Sequence, residues 1–188
     1  APEATGDGIP IVAAPVVAAT GGGGHLYTNT TNPPQACGEG VVLSWQAGAA
    51  VDDLEFVQFH PTALKRDDAP CFLISEAVRG EGAVLVDPFG RSPVEALPQR
   101  DLAPRDQVSR ALLRCMRDQG LSSLGLDLSP IPADKAKRRF PTILERCREY
   151  GLDPLQNPIP VAPAAHYWMG GVATDLQAAT TIPGLFAV

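Results

Sequence analysis

The sequence feature that most constrains the fold is a short apolar run that ends in four consecutive glycines. The run PIVAAPVVAATGGGG occupies residues 10–24. Apolar and β-branched residues followed by glycines predict a buried strand that leads into a loop where the backbone must approach another group closely. Such a loop can cradle a phosphate or a cofactor. The G-x-G-x-x-G register followed by a helix is absent, however, so a plain glycine loop is the alternative.

Length and charge exclude several classes of protein. The chain has 188 residues, of which 45% are hydrophobic and 19% are charged, as expected for a globular domain with a real core. The net charge of −6 argues against a nucleic-acid surface, and we interpret the basic run DKAKRR at 134–139 as a solvated helix face. No apolar stretch reaches the roughly 20 residues that a membrane helix needs, so no membrane span is expected.

The cysteines and a glycosylation-like motif predict no special chemistry. The four cysteines, Cys37, Cys71, Cys115 and Cys147, form no C-x-x-C pair and have no histidine spaced as a zinc partner. We therefore expect no metal site, and reduced thiols in a cytoplasmic protein. The sequon NTT at 29–31 is interpreted as an accident of composition.

Strand and helix patterns alternate without a strict βαβ order, so the predicted fold class is α+β. The periodic stretch PRDQVSRALLRCMRDQG predicts an amphipathic helix between Pro104 and Gly120. A second helical stretch, ADKAKRRFPTILERCREYG, should break at Pro141. The other predicted elements are a helix in GVVLSWQAGAA, strands in LEFVQF, CFLISEAV, GAVLV and LGLDLS, and a type I turn at DPFG.

Three residues stand out as candidates for chemistry. His60 lies between the predicted strand LEFVQF and Pro61, so it should sit at a strand end that lines a cleft, the alternative being a core histidine. His166, in PAAHYWMGG, has a similar context. Arg105 follows the helix-starting proline and precedes Asp106, with which it could form a surface ion pair of little energetic value.

Two imidazoles and a guanidinium together suit a carboxylate ligand. Arginine offers a planar donor fork that matches a carboxylate, and each histidine adds a directed N–H. The three residues therefore predict a site for a small dicarboxylate.

Four longer motifs carry a family resemblance. LEFVQFHPTAL, LISEAVRGEGAVLVD, LAPRDQVSRAL and PVAPAAHYWMGGVATD, in this order, closely resemble the flavoprotein family that holds L-aspartate oxidase, succinate dehydrogenase and fumarate reductase. The resemblance extends from about Val16 to Val188. LAPRD, RFPTIL and VAPAAHY are more similar to the aspartate oxidase members, whereas the dehydrogenases read closer to LASRD and PTVHYN.

The resemblance implies a domain organisation. Residues 1–52 would be a strand, glycine-rich loop and helix of an α/β FAD-binding domain, residues 53–160 a capping domain of the fumarate reductase type, and residues 161–188 the return into the FAD-binding domain. The family's dinucleotide fingerprint, Gly-Glu flavin contact and further substrate arginine are missing from this sequence. We therefore expect the chain alone to be inactive and to bind FAD weakly or not at all.

The resemblance also assigns roles to individual residues. Non-covalent FAD would lie near Ala19, Thr20 and Gly21, with Glu39 as a flavin-contacting acid. The substrate side would use His60 and His166 to hold carboxylates, Ser75 and Glu76 to line the pocket, and Arg105 as the catalytic arginine. In the family this arginine is assigned proton transfer as well as binding. A guanidinium stays protonated in proteins, so its own chemistry favours binding.

The implied activity is FAD-dependent oxidation of L-aspartate to iminoaspartate, with O₂ or fumarate as the acceptor. This would be the first step of de novo NAD biosynthesis in the cytoplasm, with quinolinate synthase as a downstream partner. Three alternatives remain open from the sequence. They are a flavoprotein subunit of succinate dehydrogenase or fumarate reductase, a dicarboxylate-binding module without redox chemistry, and a purely structural capping fragment.

Overall fold

The computed structural model describes residue 13 and residues 15–188. In this part of the chain, strands and helices are interspersed, which confirms the predicted mixture of helix and sheet. The strands are β1 (Val16–Ala18), β2 (Val51–Asp52), β3 (Val57–Leu64), β4 (Val84–Val86), β5 (Leu124–Asp127), β6 (Ile159–Trp168), β7 (Gly171–Val172) and β8 (Leu185–Ala187). The helices are α1 (Glu39–Gln46), α2 (Ala77–Gly80), α3 (Arg105–Gln119), α4 (Ala133–Arg139) and α5 (Pro141–Glu149), with short 3₁₀ turns at Gly24–Leu26 and Arg100–Leu102.

The central element is an antiparallel sheet of four strands in the order β3-β6-β5-β4. One hydrophobic cluster joins this sheet to α3 and α5, with Leu85, Leu126, Ile159, Leu112 and Leu144 almost fully buried. Truncating such a leucine to alanine typically costs about 2–5 kcal/mol. The cluster therefore fixes α3, and with it Arg105, against the sheet.

Two small sheets join the early and late parts of the chain. β1 pairs in parallel with β8, and β2 pairs antiparallel with β7. The prediction that β1 is buried is wrong within this chain, because Val16 and Val17 are 49% and 57% exposed. In the described residues β1 has β8 as its ladder partner, and its side chains are not packed into the core. Residues 10–12 and 14 of the same run lie outside the described residues.

The sequence pattern predicts that β3 ends at His60. In the structure the strand continues to Leu64. The ladder pairs His60 with Ala164 and then Ala63 with Ala162, so the two residues between them on β3 oppose one residue on β6. A β-bulge of this kind accommodates a proline, which has no N–H to give to the ladder. Pro61 therefore marks a bulge and not the end of a strand.

A second bulge lies on β6. Gln58 pairs with Tyr167, and the next residue, Phe59, pairs with Ala165, which leaves His166 without a ladder partner. Bulges bend a strand and change the direction of a side chain. Both candidate histidines thus lie at irregularities of the same strand pair.

The remaining predictions had mixed outcomes. α3 is confirmed and ends at Gly120 in the left-handed conformation, with φ 66°. The break before Pro141, the strands in GAVLV and LGLDLS and the turn at DPFG are also confirmed. The strand predicted in CFLISEAV is wrong, since the segment makes one isolated bridge to β3, at Leu73, and then enters α2. The bulge on β3 interrupts the ladder there.

The predicted domain boundaries stay predictions. β6 runs without interruption across the boundary placed between residues 160 and 161. In the described part of the chain, no helix is both long enough and apolar enough to cross a membrane.

Candidate active site

Four predicted side chains meet around the bulged end of the β3-β6 pair. The rings of His60 and His166 lie 5.4 Å apart between centroids, at an interplanar angle of 70°. Arg105 is the first residue of α3, which packs on β3 and β6, and Glu76 directly precedes α2. The structure therefore brings His60, His166, Arg105 and Glu76 into one cluster, although they come from four separate segments.

Arg105 is held by two acceptors. Its Nε donates to Oε2 of Glu76 at 2.7 Å, and its Nη1 donates to Oε1 of Gln58 at 2.9 Å. A guanidinium has five N–H donors, so three remain for a ligand. The alternative of a surface pair with Asp106 is wrong, because the ion-pair partner of that carboxylate is Arg110, at 3.9 Å. Gln58 was not anticipated from the sequence.

Behind Glu76 lies a buried arginine that the sequence patterns do not predict. The side chain of Arg79 is 0% exposed, its Nη1 donates to the backbone oxygen of Asp101, and its Nη2 lies 3.9 Å from Oε2 of Glu76. Its Nε and Nη2 have no hydrogen-bond partner among the described residues. The i, i+3 spacing of Glu76 and Arg79 in EAVRG was the signal that could have identified it.

Glu76 thus lies between two guanidiniums. The hydrogen bond from Arg105, together with the positive charges of Arg79 and Arg105, holds the pKa of Glu76 below its usual value. Burial lowers the pKa of Arg79. Glu76 is therefore a carboxylate that orients Arg105 and balances part of the positive charge of the cluster.

His60 is a neutral donor. It is 1% exposed, and burial, followed by the nearby charges of Arg105 and His166, lowers its pKa to about 4. The backbone N–H of Thr62 donates to its Nδ1 at 3.2 Å. Since a backbone N–H can only donate, Nδ1 is the acceptor and the ring proton lies on Nε2.

His166 is less buried, and burial followed by the charge of Arg105 lowers its pKa as well. Its Nδ1 lies 2.9 Å from Oγ1 of Thr31, and its backbone oxygen accepts from Nδ2 of Asn32 at 2.9 Å. The site therefore contains two imidazoles that resist protonation beside a permanent cation.

Ser75 lies next to Glu76 in the chain but faces elsewhere. It is exposed, its hydroxyl accepts from the N–H of Ala77 at 3.3 Å, and it lines a separate cavity of ≈ 480 Å³ with residues of α4 and α5. Its role at the pocket stays a prediction.

A second concave region, of ≈ 320 Å³, lies at the glycine loop. Thr20 and Gly21 line this groove, whereas Ala19 and Glu39 do not, Glu39 being the exposed first residue of α1. The flavin contacts assigned to these four residues stay predictions. The other lining residues are Ala18, Gly22, Gly40, Val41, Trp168, Met169, Gly170, Gly171, Val172, Ala187 and Val188. β6 connects the two regions, since Trp168 follows His166 by two residues.

The glycines explain the shape of the groove. A Cβ on Gly40 would overlap the side chain of Thr20, so the first turn of α1 packs directly on the loop. Gly21 has φ +74°, and a Cβ there would meet no other atom of the described chain. The walls are small or apolar and carry no charged side chain. Such a surface suits the flat isoalloxazine ring of FAD.

The uncharged groove at the glycine loop is a concave site of the kind that holds a cofactor. A family model described as "FAD binding domain" matches residues 2–188. The chain belongs to this family, and FAD is its cofactor.

Named relatives are similar over most of the chain. It is 56% identical to an L-aspartate oxidase of Nostoc sp. over 178 residues, which cover 92% of this chain and 31% of that protein. It is 49% identical to an L-aspartate oxidase of Streptomyces coelicolor, over 98% of this chain and 33% of the relative. The chain thus spans about a third of the length of these relatives.

Solved structures show the same fold. A quinol-fumarate reductase with menaquinol molecules superposes with a TM-score of 0.85 at 36% identity, over 93% of this chain and 33% of that one. Mycobacterium smegmatis Sdh1 in complex with UQ1 superposes with a TM-score of 0.75 at 36% identity, over 93% of this chain and 30% of that one.

Proposed function

We propose that this chain is the substrate-binding part of an FAD-dependent L-aspartate oxidase, which converts L-aspartate to iminoaspartate. The observation that carries the proposal is the convergence of His60, His166 and Arg105 on one cluster, in a chain whose named relatives are L-aspartate oxidases. The donors of this cluster suit a dicarboxylate, and the acceptors beside Arg105 keep the guanidinium in place.

The two histidines supply neutral, directed donors for substrate carboxylates. Because His60 carries its proton on Nε2, it can donate without adding a second buried charge next to Arg105. His166 lies on the neighbouring strand and offers a second imidazole for the same purpose. Arg105 adds three free N–H groups and a fixed positive charge. Their common effect is to fix the substrate in one orientation before the reaction.

FAD, when bound, accepts the two electrons removed from the substrate. Residues of this chain that would hold it are those that line the groove, Thr20 and Gly21 among them. The protein's own contribution is to orient the substrate and to compensate its charge. Arg105 would compensate the negative charge of a substrate carboxylate close to the substrate Cα. Glu76 joins Arg105 to the buried Arg79. The carboxylate of Glu76 stabilises the protonated form of Arg105, which favours a role in binding and charge compensation over proton transfer.

Several finer points belong to the same proposal. Residues 53–160 would act as a capping domain over the flavin, and O₂ or fumarate would be the acceptor. The reaction would be the first step of de novo NAD biosynthesis in the cytoplasm, with quinolinate synthase acting next. These points rest on what the family resemblance of the sequence motifs implies.

The second candidate is a succinate dehydrogenase or fumarate reductase flavoprotein, favoured by the superposition on quinol-fumarate reductase. An anaerobic absorbance scan of the full-length protein that contains this chain separates the two. Bleaching of the flavin band by L-aspartate supports the oxidase. Bleaching by succinate but not by L-aspartate supports the second candidate, and bleaching by neither contradicts both.

A further inference from the structure

The loop NTTN, residues 29–32, clamps the bulge that carries His166. The N–H of Ala165 donates to the backbone oxygen of Asn29 at 2.9 Å, and the N–H of Thr31 donates to the backbone oxygen of Ala165 at 3.0 Å. The loop therefore pairs with β6 at the place where the ladder to β3 is interrupted.

The hydrogen bonds of this loop have a defined direction. The backbone oxygen of Ala165 accepts from the N–H of Thr31 and from Oγ1 of Thr30, each at 3.0 Å, which fills both of its lone pairs. Oγ1 of Thr30 in turn accepts from the backbone N–H and side-chain amide of Asn32, at 3.1 and 3.2 Å. The hydroxyl of Thr30 thus has its proton committed to Ala165.

The hydroxyl proton of Thr31 then has one good acceptor. The oxygen of Ala165 lies 3.5 Å from Oγ1 of Thr31 and is already saturated, whereas Nδ1 of His166 lies at 2.9 Å. Donation to Nδ1 leaves the ring proton of His166 on Nε2. This is the same tautomer that the N–H of Thr62 imposes on His60.

We propose that Thr31 is a positioning residue that fixes the tautomer of His166 and thereby makes its Nε2–H a donor to a substrate carboxylate. The catalytic part of this inference rests on the proposed function, in which His166 contacts the substrate. The structural part does not, because it follows from the hydrogen bonds of the loop. Without the hydroxyl, the two tautomers of His166 become comparable in energy, and part of the population presents a lone pair to the carboxylate.

The kinetic test is a double-mutant cycle in the full-length protein. Thr31→Val removes the hydroxyl with little change of shape and should raise KM for L-aspartate about three- to tenfold, as expected for one net hydrogen bond, with kcat nearly unchanged. Thr31→Ser should restore the wild-type KM. In a His166→Ala background, Thr31→Val should have no further effect. Thr28→Val, an exposed threonine of the same region, is the matched control.

An equal effect of Thr31→Val in both backgrounds, or a Thr31→Ser protein as impaired as Thr31→Val, would overturn the proposal. A second measurement is independent of activity. In ¹⁵N-histidine-labelled protein, the His166 signal, assigned by its loss in His166→Ala, should show the proton on Nε2, and Thr31→Val should shift it towards a mixture of tautomers. A wild-type His166 protonated on Nδ1 would refute the role of Thr31 even if the protein oxidises L-aspartate. Conversely, an Nε2–H signal in a protein that does not turn over L-aspartate would contradict only the proposed function.

Discussion

Nε of Arg105 donates to Oε2 of Glu76 at 2.7 Å across 29 residues of sequence, and this ion pair joins the start of α3 to the start of α2. Behind it, Arg79 is buried with its Nη2 3.9 Å from the same oxygen. Both side chains of the pair are about one-third exposed, so the pair contributes little to folding stability. Its main effect is to orient the guanidinium of Arg105.

Arg105→Leu should reduce kcat/KM for L-aspartate at least about a hundredfold in the full-length protein, equivalent to about 3 kcal/mol of transition-state stabilisation. The side chain would lose its charge and all of its donors. Arg105→Lys should recover part of the loss, since it keeps the charge but not the fork. Arg110→Leu, on the exposed face of the same helix, is the control. If the activity of Arg105→Leu stays within a few-fold of wild type, Arg105 is not a catalytic residue.

His60→Ala and His166→Ala should raise KM for L-aspartate while kcat stays close to normal for at least one of them. If the contact holds substrate and transition state equally, its loss weakens binding without slowing the chemical step. The expected loss is about 1.5–3 kcal/mol, typical of a hydrogen bond to a charged group. His25→Ala provides the control, because His25 is exposed at the glycine loop. If KM is unchanged in both variants, neither histidine contacts the substrate.

Glu76→Gln should lower kcat by about tenfold or more, because a neutral amide replaces the charge-assisted bond to Arg105. Steady-state kinetics of Glu76→Gln and of Glu145→Gln, an exposed residue of α5, would measure the difference. Equal activities would show that the orientation of Arg105 does not depend on the charge of Glu76.

His60 should make the folded protein less stable at acidic pH. Its pKa of about 4 in the folded state lies below the usual 6.5, so the unfolded chain binds more protons between these values. The contribution of neutral His60 is therefore present above pH 6.5 and is lost as the pH falls to about 4. Denaturant midpoints of wild type and His60→Gln, measured from pH 7 to 4, should show a smaller decrease for the variant. Parallel curves would mean that His60 is not buried as a neutral ring.

In the full-length protein, Gly40→Ala should weaken FAD binding and lower the unfolding temperature, because the added Cβ would overlap the side chain of Thr20 and push α1 away from the loop. Gly80→Ala is the matched control, since a Cβ at Gly80 meets no atom within 4 Å. Flavin content and thermal unfolding of the two variants test this. Full flavin content in Gly40→Ala would show that the loop and α1 can separate without damage to the groove.

Local patterns predicted the elements that depend on few contacts. The apolar face of α3 and the flanking Pro104 and Gly120 defined that helix, and Pro141 defined the break between α4 and α5. CFLISEAV was misassigned because its β-prone residues do carry a bridge to β3, but the bulge at Pro61 limits the pairing.

The site was predictable in part. His60, His166 and Arg105 come together as expected, but from the residues alone each was also consistent with an ordinary structural role. Arg79 was missed because a charged residue near a glycine resembles a surface position, and only tertiary packing buries it. Gln58 was missed for a related reason, since its role depends on a contact with Arg105, 47 residues away.

The two bulges have a consequence for how this chain tolerates changes in length. Each bulge adds one residue to one strand of the β3-β6 pair, and the extra residues lie on opposite strands. Deleting a residue of β3 outside the bulge would shift the pairing register by one residue and move the side chains beyond it to the other face of the sheet. A substitution in this strand pair leaves the pairing register unchanged. Single-residue insertions and deletions there should therefore be rarer than substitutions among functional variants.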